Sequence, residues 1–285
     1  MANLKEIRSR ISSVSSTMQI TGAMKMVSAA KLKKAQDAIL AMKPYAYKLK
    51  QLLEQLSSAL GNESIYNERS EGAKNVLIVP ITSNRGLCGA FNSNIIKKVL
   101  ELETEVYKNL NVRFYTIGKK GNDVLKKTEK IYKHETHIFD NLNFAAVSEL
   151  ASELMELYAS GQFDKIVLVY NSFKNAATQI VTEETFLPIQ SVETDKEQSS
   201  VDYLYEPSKE EIVKELIPRS LKIQIFKALR DSVASEHGAR MTAMHKATDN
   251  ANELRSQLKL TYNKARQAAI TGEILEIVGG AEALS

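Results

Sequence analysis

The residues best placed for chemistry lie in Thr82–Asn92 (TSNRGLCGAFN), which follows a continuous apolar run and precedes an amphipathic stretch. A glycine-containing turn between a strand and a helix N-terminus can cradle phosphate on backbone N–H groups. The spacing argues against the known cradles. Gly86 and Gly89 lack the following Lys-Ser or Lys-Thr of a P-loop, and no G-x-G-x-x-G occurs. Gly118-Lys119-Lys120-Gly121 lacks the spacing as well. Cys88, the single cysteine, is a candidate nucleophile, but no histidine stands near it in the chain. A structural turn or a subunit contact is the plainer reading of this segment.

The four histidines give no better site. His134 and His137 flank an expected strand, and further metal ligands are not evident. His237 and His245 are too far apart on a helix to share one metal. Ser235-Glu236-His237 contains triad residue types, yet adjacent helical residues point in different directions. No catalytic residue, cofactor site or metal site is therefore expected. A single cysteine also excludes an internal disulfide.

Two long helices must frame whatever the middle of the chain does. Steps of three and four from Leu4 run through Ile7, Ile11, Val14, Met18, Thr21, Lys25, Ser28, Leu32, Ala35, Ile39, Met42, Ala46, Leu49, Leu53 and Leu56 to Leu60. This heptad seam predicts a coiled coil, about 87 Å long if unbroken over residues 3–60. Polar Thr21, Lys25 and Ser28 interrupt it, which sets register or marks a face for another subunit. Pro44 is expected to kink or break the helix. A second seam runs through Met244, Ala247, Ala251, Leu254, Leu258, Thr261, Ala265, Ala268, Gly272 and Leu275. Its small residues allow close approach. The first rod of the same chain is the economical partner, in antiparallel sense, although the heptads alone also allow a dimer.

Between the rods the period changes. Lys74–Thr82, Val112–Gly118, Ile131–Phe139, Asp164–Asn171 and Thr178–Leu187 read as strands. Asn94–Leu110, Lys119–Thr128 and Phe144–Ser160 read as helices, so strands and helices alternate in an α/β layer with a mainly parallel sheet. Residues 190–200 are polar and read as a loop.

Charge is segregated. The chain of 285 residues has net charge +4, but residues 1–60 carry 10 Lys/Arg against 3 Asp/Glu. Such a rod is a solvated face, a partner for an acidic groove, or a nucleic-acid binder. Tyr45 and Tyr47 are its only aromatics, so it offers no base-stacking platform, and nucleic acid is not an expected partner. No apolar run approaches the roughly 18 residues of a membrane span, and the N-terminus has no signal-peptide core.

Five segments carry a family resemblance: Ile20–Leu32 (ITGAMKMVSAAKL), Thr82–Asn92, Tyr203–Pro207 (YLYEP), Ser235–Ala251 (SEHGARMTAMHKATDNA) and Thr261–Ala281 (TYNKARQAAITGEILEIVGGA). In order and in content they resemble the gamma subunit of bacterial F-type ATP synthases, over essentially the whole chain. The resemblance implies an α/β fold class: a long antiparallel coiled coil of N- and C-terminal helices with an inserted Rossmann-like α/β domain. Expected bounds are 1–60, 70–208 and 209–285. It further implies a non-catalytic rotor that couples proton flow through a c-ring to ATP synthesis in a ring of three alpha and three beta subunits. An epsilon subunit is a further expected partner, and the expected location is the cytoplasmic face of a bacterial plasma membrane. By matching motifs, Met24 and Lys25 would face a beta-subunit loop. Arg240, Gln267 and Thr271 would meet the catalytic ring, residues 274–284 would turn in its upper bearing, and Tyr203 and Tyr205 would contact epsilon and the c-ring.

Overall fold

The computed structural model describes residues 4–57, 66, 72–189 and 209–282. These fall into two compact units: residues 30–239, and a second unit formed by the chain up to Ala29 together with the chain from Arg240 onward.

The first unit is built on a five-stranded sheet of order β3-β2-β1-β4-β5. The strands are β1 (Asn75–Pro80), β2 (Asn111–Ile117), β3 (Ile131–Glu135), β4 (Lys165–Phe173) and β5 (Gln179–Leu187). The first four are parallel, and β5 returns antiparallel to β4. Parallel neighbours need crossovers, and amphipathic helices supply them: α2 (Phe91–Glu101), α3 (Lys119–Leu125) and α4 (Phe144–Ala159). Strand side chains alternate between faces, so the core has two halves. Val76, Ile78, Val167 and Val169 meet Ile95 and Val99 of α2 on one face. Leu77, Val79, Ile81, Ile166 and Leu168 meet α4 on the other, together with Leu221, Ile225 and Leu229 of the long helix α5 (Lys209–Glu282). Covered on both sides, β1 and β4 read as the unbroken apolar runs seen in the sequence.

Local differences from the expected elements have physical causes. The third strand stops at Glu135, because His137–Phe139 turns into a 3-10 segment that buries Ile138. The helix expected at Asn94–Leu110 begins at Phe91, and after Glu101 it widens into a π turn over Leu102–Val106. That turn is closed by the Tyr107 N–H donating to the Leu102 carbonyl at 2.8 Å. On α4, the Asn143 side chain caps the N-terminus by accepting from the Ala146 N–H at 2.8 Å.

The largest correction concerns Pro44. Helix α1 runs from Leu4 to Ser57 with Pro44 inside it, so of the two expected outcomes, a kink or a break, the break does not occur. Ala46 and Leu49 stay on the seam after the proline, and this continued packing holds the helix together across one missing N–H. Helix α5 likewise continues through Pro218 and Gly238.

The N-terminal seam holds in both units. Every seam position from Leu4 to Leu49 is buried or half-buried, including Thr21, Lys25 and Ser28. The C-terminal seam is out of phase at alternate positions. Met244, Ala251, Leu258, Ala265 and Gly272 face inward, but their partners are Thr248, Arg255, Tyr262 and Ala269. Leu254 and Leu275 are 46% and 66% exposed, and Thr261 and Ala268 are also exposed. A heptad read as three-then-four where the helix packs as four-then-three keeps half its positions and misplaces the rest. Ala247 is half-buried in either reading.

Candidate functional site

In a doubly wound sheet the ligand crevice opens where the chain leaves neighbouring strands in opposite directions. Here that point is the carboxyl edge of β1 and β4. Its residues are already engaged with one another. The Thr82 hydroxyl donates to the Ile117 carbonyl at 3.1 Å and accepts the Gly121 N–H at 2.9 Å. The Lys120 N–H donates to the Ser83 carbonyl at 3.0 Å, and the Lys119 N–H donates to Asn84 Oδ1 at 3.0 Å. The three amides opening α3 are thus committed to the chain itself.

The rest of the loop closes in the same way. The Ser83 hydroxyl donates to the Arg85 carbonyl at 2.6 Å, and its N–H donates to Asn92 Oδ1 at 2.9 Å. Asn92 Nδ2 returns hydrogen bonds to Ser83 Oγ at 2.8 Å and Cys88 Sγ at 3.2 Å. Cys88 is buried, so the candidate nucleophile serves as packing inside a hydrogen-bonded turn. Leu87, at φ 63°, projects from the turn and is 65% exposed.

Helix α5 fills the remaining space at the strand ends. Ser235, which the sequence offered as a triad member, donates to the Asn171 carbonyl at 2.9 Å and is fully buried. Asn171 Nδ2 in turn donates to the Phe91 carbonyl at 3.1 Å. Ser232 Oγ lies 3.5 Å from the Ile81 carbonyl. Sequence reasoning missed Ser232 and Asn171. The available signal was two serines, three apart, interrupting the apolar stripe of Leu229 and Ala234. His134 Nδ1 lies 3.1 Å from the Thr116 hydroxyl and His137 Nδ1 lies 3.2 Å from Asp140 Oδ2. Among the described residues no group of three or more His, Cys, Asp or Glu could hold a metal ion.

Two buried tyrosines have phenols pushed well above the usual range. For Tyr115 the main cause is burial, followed by Glu153, which accepts its hydrogen bond at 3.1 Å. For Tyr170 it is burial again, then Glu184, which accepts at 2.7 Å.

The second unit holds the other candidate region. The Thr248 hydroxyl donates to Thr21 Oγ1 at 2.8 Å, and Lys25 Nζ lies 3.4 Å from His245 Nδ1. His245 Nδ1 also lies 3.3 Å from Asp249 Oδ2. As numbers rise on α1 they fall on α5, which makes the pair antiparallel. The polar interruption of the seam is therefore a hydrogen-bonded layer between the helices. Lys25 points into this layer and is half-buried, while Met24 is half-buried beside it. Arg240 is buried at 7% exposure, whereas Gln267 and Thr271 are exposed on α5. Tyr203 and Tyr205 lie outside the described residues. Ile20, Met26 and Val27 are 60%, 68% and 56% exposed, an apolar face the seam does not use.

These features define a class: a protein whose terminal helices pair as an antiparallel coiled coil and whose α/β insertion turns its usual ligand edge into a seat for its own helix. Residues 3–284 match the ATP synthase family, and the chain belongs to the ATP synthase gamma-chain family. It is 65% identical over 287 residues to the ATP synthase gamma chain of Flavobacterium johnsoniae, with all of both chains covered. It is 44% identical over 285 residues to that of Geobacter metallireducens, covering 100% of this chain and 99% of the relative. Among solved structures, the fold matches a chain of the Euglena gracilis mitochondrial ATP synthase OSCP/F1/c-ring at TM-score 0.74 and 23% identity, covering 99% of this chain and 94% of that one. A chain of the Tetrahymena thermophila mitochondrial ATP synthase central stalk and c-ring matches at TM-score 0.63 and 26% identity, covering 80% and 99%.

Proposed function

We propose that this chain is the non-catalytic central-stalk rotor of an F-type ATP synthase, coupling proton flow through a c-ring to ATP synthesis and hydrolysis in a ring of three alpha and three beta subunits. The observation that carries the reading is the end of α5. Ile274, Leu275, Ile277 and Val278 are 54%, 66%, 72% and 51% exposed, and they form one broad apolar face of the helix, opposite Glu273 and Glu276. An exposed apolar face of this breadth requires a covering partner. A ring of subunits closing around this end supplies one, and Thr271 and Gln267 stand about one and two turns before it.

The mechanism follows from asymmetry. An antiparallel pair presents different side chains in different directions, so each beta subunit around it meets a different surface. A subunit conformation is favoured only by contacts that differ between conformations, so turning the shaft shifts each site in sequence among its nucleotide affinities. Met24, Gln267 and Thr271 are the residues proposed to meet the ring, and Arg240, buried at 7% exposure, would act on it through the neighbours it positions. Lys25 would act on it by fixing how its neighbours are presented. Epsilon and the c-ring would engage residues near Tyr203 and Tyr205. No helix among the described residues is long and apolar enough to cross a membrane, which is consistent with a peripheral place on the cytoplasmic face of a bacterial plasma membrane.

The test is the native mass and composition of the complex that copurifies with the chain from its own membranes. Three alpha, three beta and one copy of this chain are expected. A homodimer of this chain, free of alpha and beta under gentle extraction, would overturn the proposal.

A further inference from the structure

A rotor needs more than a shaft: the domain that receives torque must not slip on the helix that delivers it. Apolar packing alone resists this poorly, because it is non-directional and a smooth helix can roll or slide on an apolar sheet with little change in buried area. Hydrogen bonds weaken steeply once misaligned, and backbone in direct contact cannot interpenetrate. The segment of α5 that lies on the sheet carries both devices on one stripe. Gln224 Nε2 donates to Glu184 Oε1 at 2.9 Å and to the Thr185 carbonyl at 3.1 Å on β5. About three turns further on, Ser235 donates to the Asn171 carbonyl of β4 from full burial. One turn beyond, Gly238 lets the β4–β5 turn approach so closely that an added Cβ would sit 3.1 Å from the Ala176 carbonyl oxygen and 3.3 Å from its Cα.

That turn is itself held rigid. The Asn175 side chain accepts from the Ala177 and Thr178 N–H groups at 3.0 and 2.7 Å, and Gln179 Nε2 donates to the Ala176 carbonyl at 3.1 Å. The helix is thus pinned at two levels along the β4–β5 hairpin and stopped at a third.

We infer that Gln224, Ser235 and Gly238 form a key that locks α5 in rotation and axial position on the sheet, making them positioning residues for torque transfer between the inserted domain and the shaft. The inference rests on the rotor reading. A polar key suits this role because rolling the helix breaks the Gln224 and Ser235 bonds together, and the buried Asn171 carbonyl has no water with which to replace its lost donor.

The experiment uses the assembled ATP synthase in inverted membrane vesicles and measures ion pumping per ATP hydrolysed at rising opposing gradients. For Gln224→Ala/Ser235→Ala, hydrolysis is expected within twofold of the parent, with pumping per ATP falling at least twofold at high gradient and recovering at low gradient. Loss of fold or assembly would lower the amount of complex without making the ratio depend on load. Ser256→Ala, on an exposed part of α5, should leave the ratio at the parental value. If the double variant does not assemble, Gln224→Ala alone is read in the same way, since that side chain is half-buried at the edge of the contact. A load-independent, parental ratio in an assembled variant overturns the key. A parent complex that lacks this chain, or that pumps equally well without it, overturns the rotor reading instead.

Discussion

Gly118 stands with φ 95° at the end of β2, and a Cβ there would lie 2.0 Å from the Thr82 carbonyl oxygen. No side-chain adjustment relieves a clash with backbone in a left-handed conformation. Gly118→Ala is therefore expected to cost more than about 3 kcal/mol, read as loss of the cooperative unfolding transition of the sheet unit or as insoluble protein. The buried tyrosines make a prediction about pH. Their folded-state phenols titrate above the unfolded value of about 10, so the folded state holds protons that the unfolded state releases in alkali. The stability they contribute is complete below about pH 10 and declines as pH rises beyond it. Ultraviolet titration should show at least two of the 11 tyrosines silent until unfolding. Tyr115→Phe/Tyr170→Phe should lose about 0.5–1.5 kcal/mol per site at neutral pH and show a shallower alkaline decline. At this scale the sequence was half legible. The TSNRGLCGAFN segment was visible as a special turn, but its commitment to internal hydrogen bonds depends on Ile117, Lys119, Lys120 and Gly121, which reach it only in the folded sheet.

Elements follow sequence more closely, and their exceptions are informative. Asn143 caps α4 through one side-chain bond, so Asn143→Ala should cost about 1 kcal/mol in a denaturant titration. Pro44 is exposed inside α1 and removes a helical N–H without the break that local propensity alone would give. Pro44→Ala is expected to stabilise the chain, by at most about 3 kcal/mol, with a matching rise in helix melting temperature. The corrected heptad phase is tested by a pair of substitutions. Met244→Ala, at 5% exposure, should cost about 2–5 kcal/mol, whereas Leu254→Ala, at 46%, should cost under about 1 kcal/mol. Equal costs would restore the phase read from the sequence. The sequence misled because Leu254 and Leu275 are more apolar than Arg255 and Tyr262, yet the inward positions are chosen by register against α1, where Thr21 meets Thr248.

For the whole molecule, stability and function separate. The exposed apolar residues of α5 from Ile274 to Val278 contribute nothing to either unit's core, so Ile277→Ser should leave the isolated chain's stability within about 0.5 kcal/mol of the parent. The same change should weaken the assembled complex, read as a lower temperature at which alpha and beta subunits dissociate from it. By itself the sequence determined the two heptad rods, the alternation of strands and helices between them, and the family, because apolar periodicity and local motif content are properties of the linear chain. Only the tertiary structure decided that α5 plugs the strand ends through Ser235 and Asn171, that Lys25 turns to His245, and which residues of α5 face inward. Each of these is a contact between residues more than 60 positions apart, and its geometry is fixed by the register of one packed element on another, which no local pattern encodes.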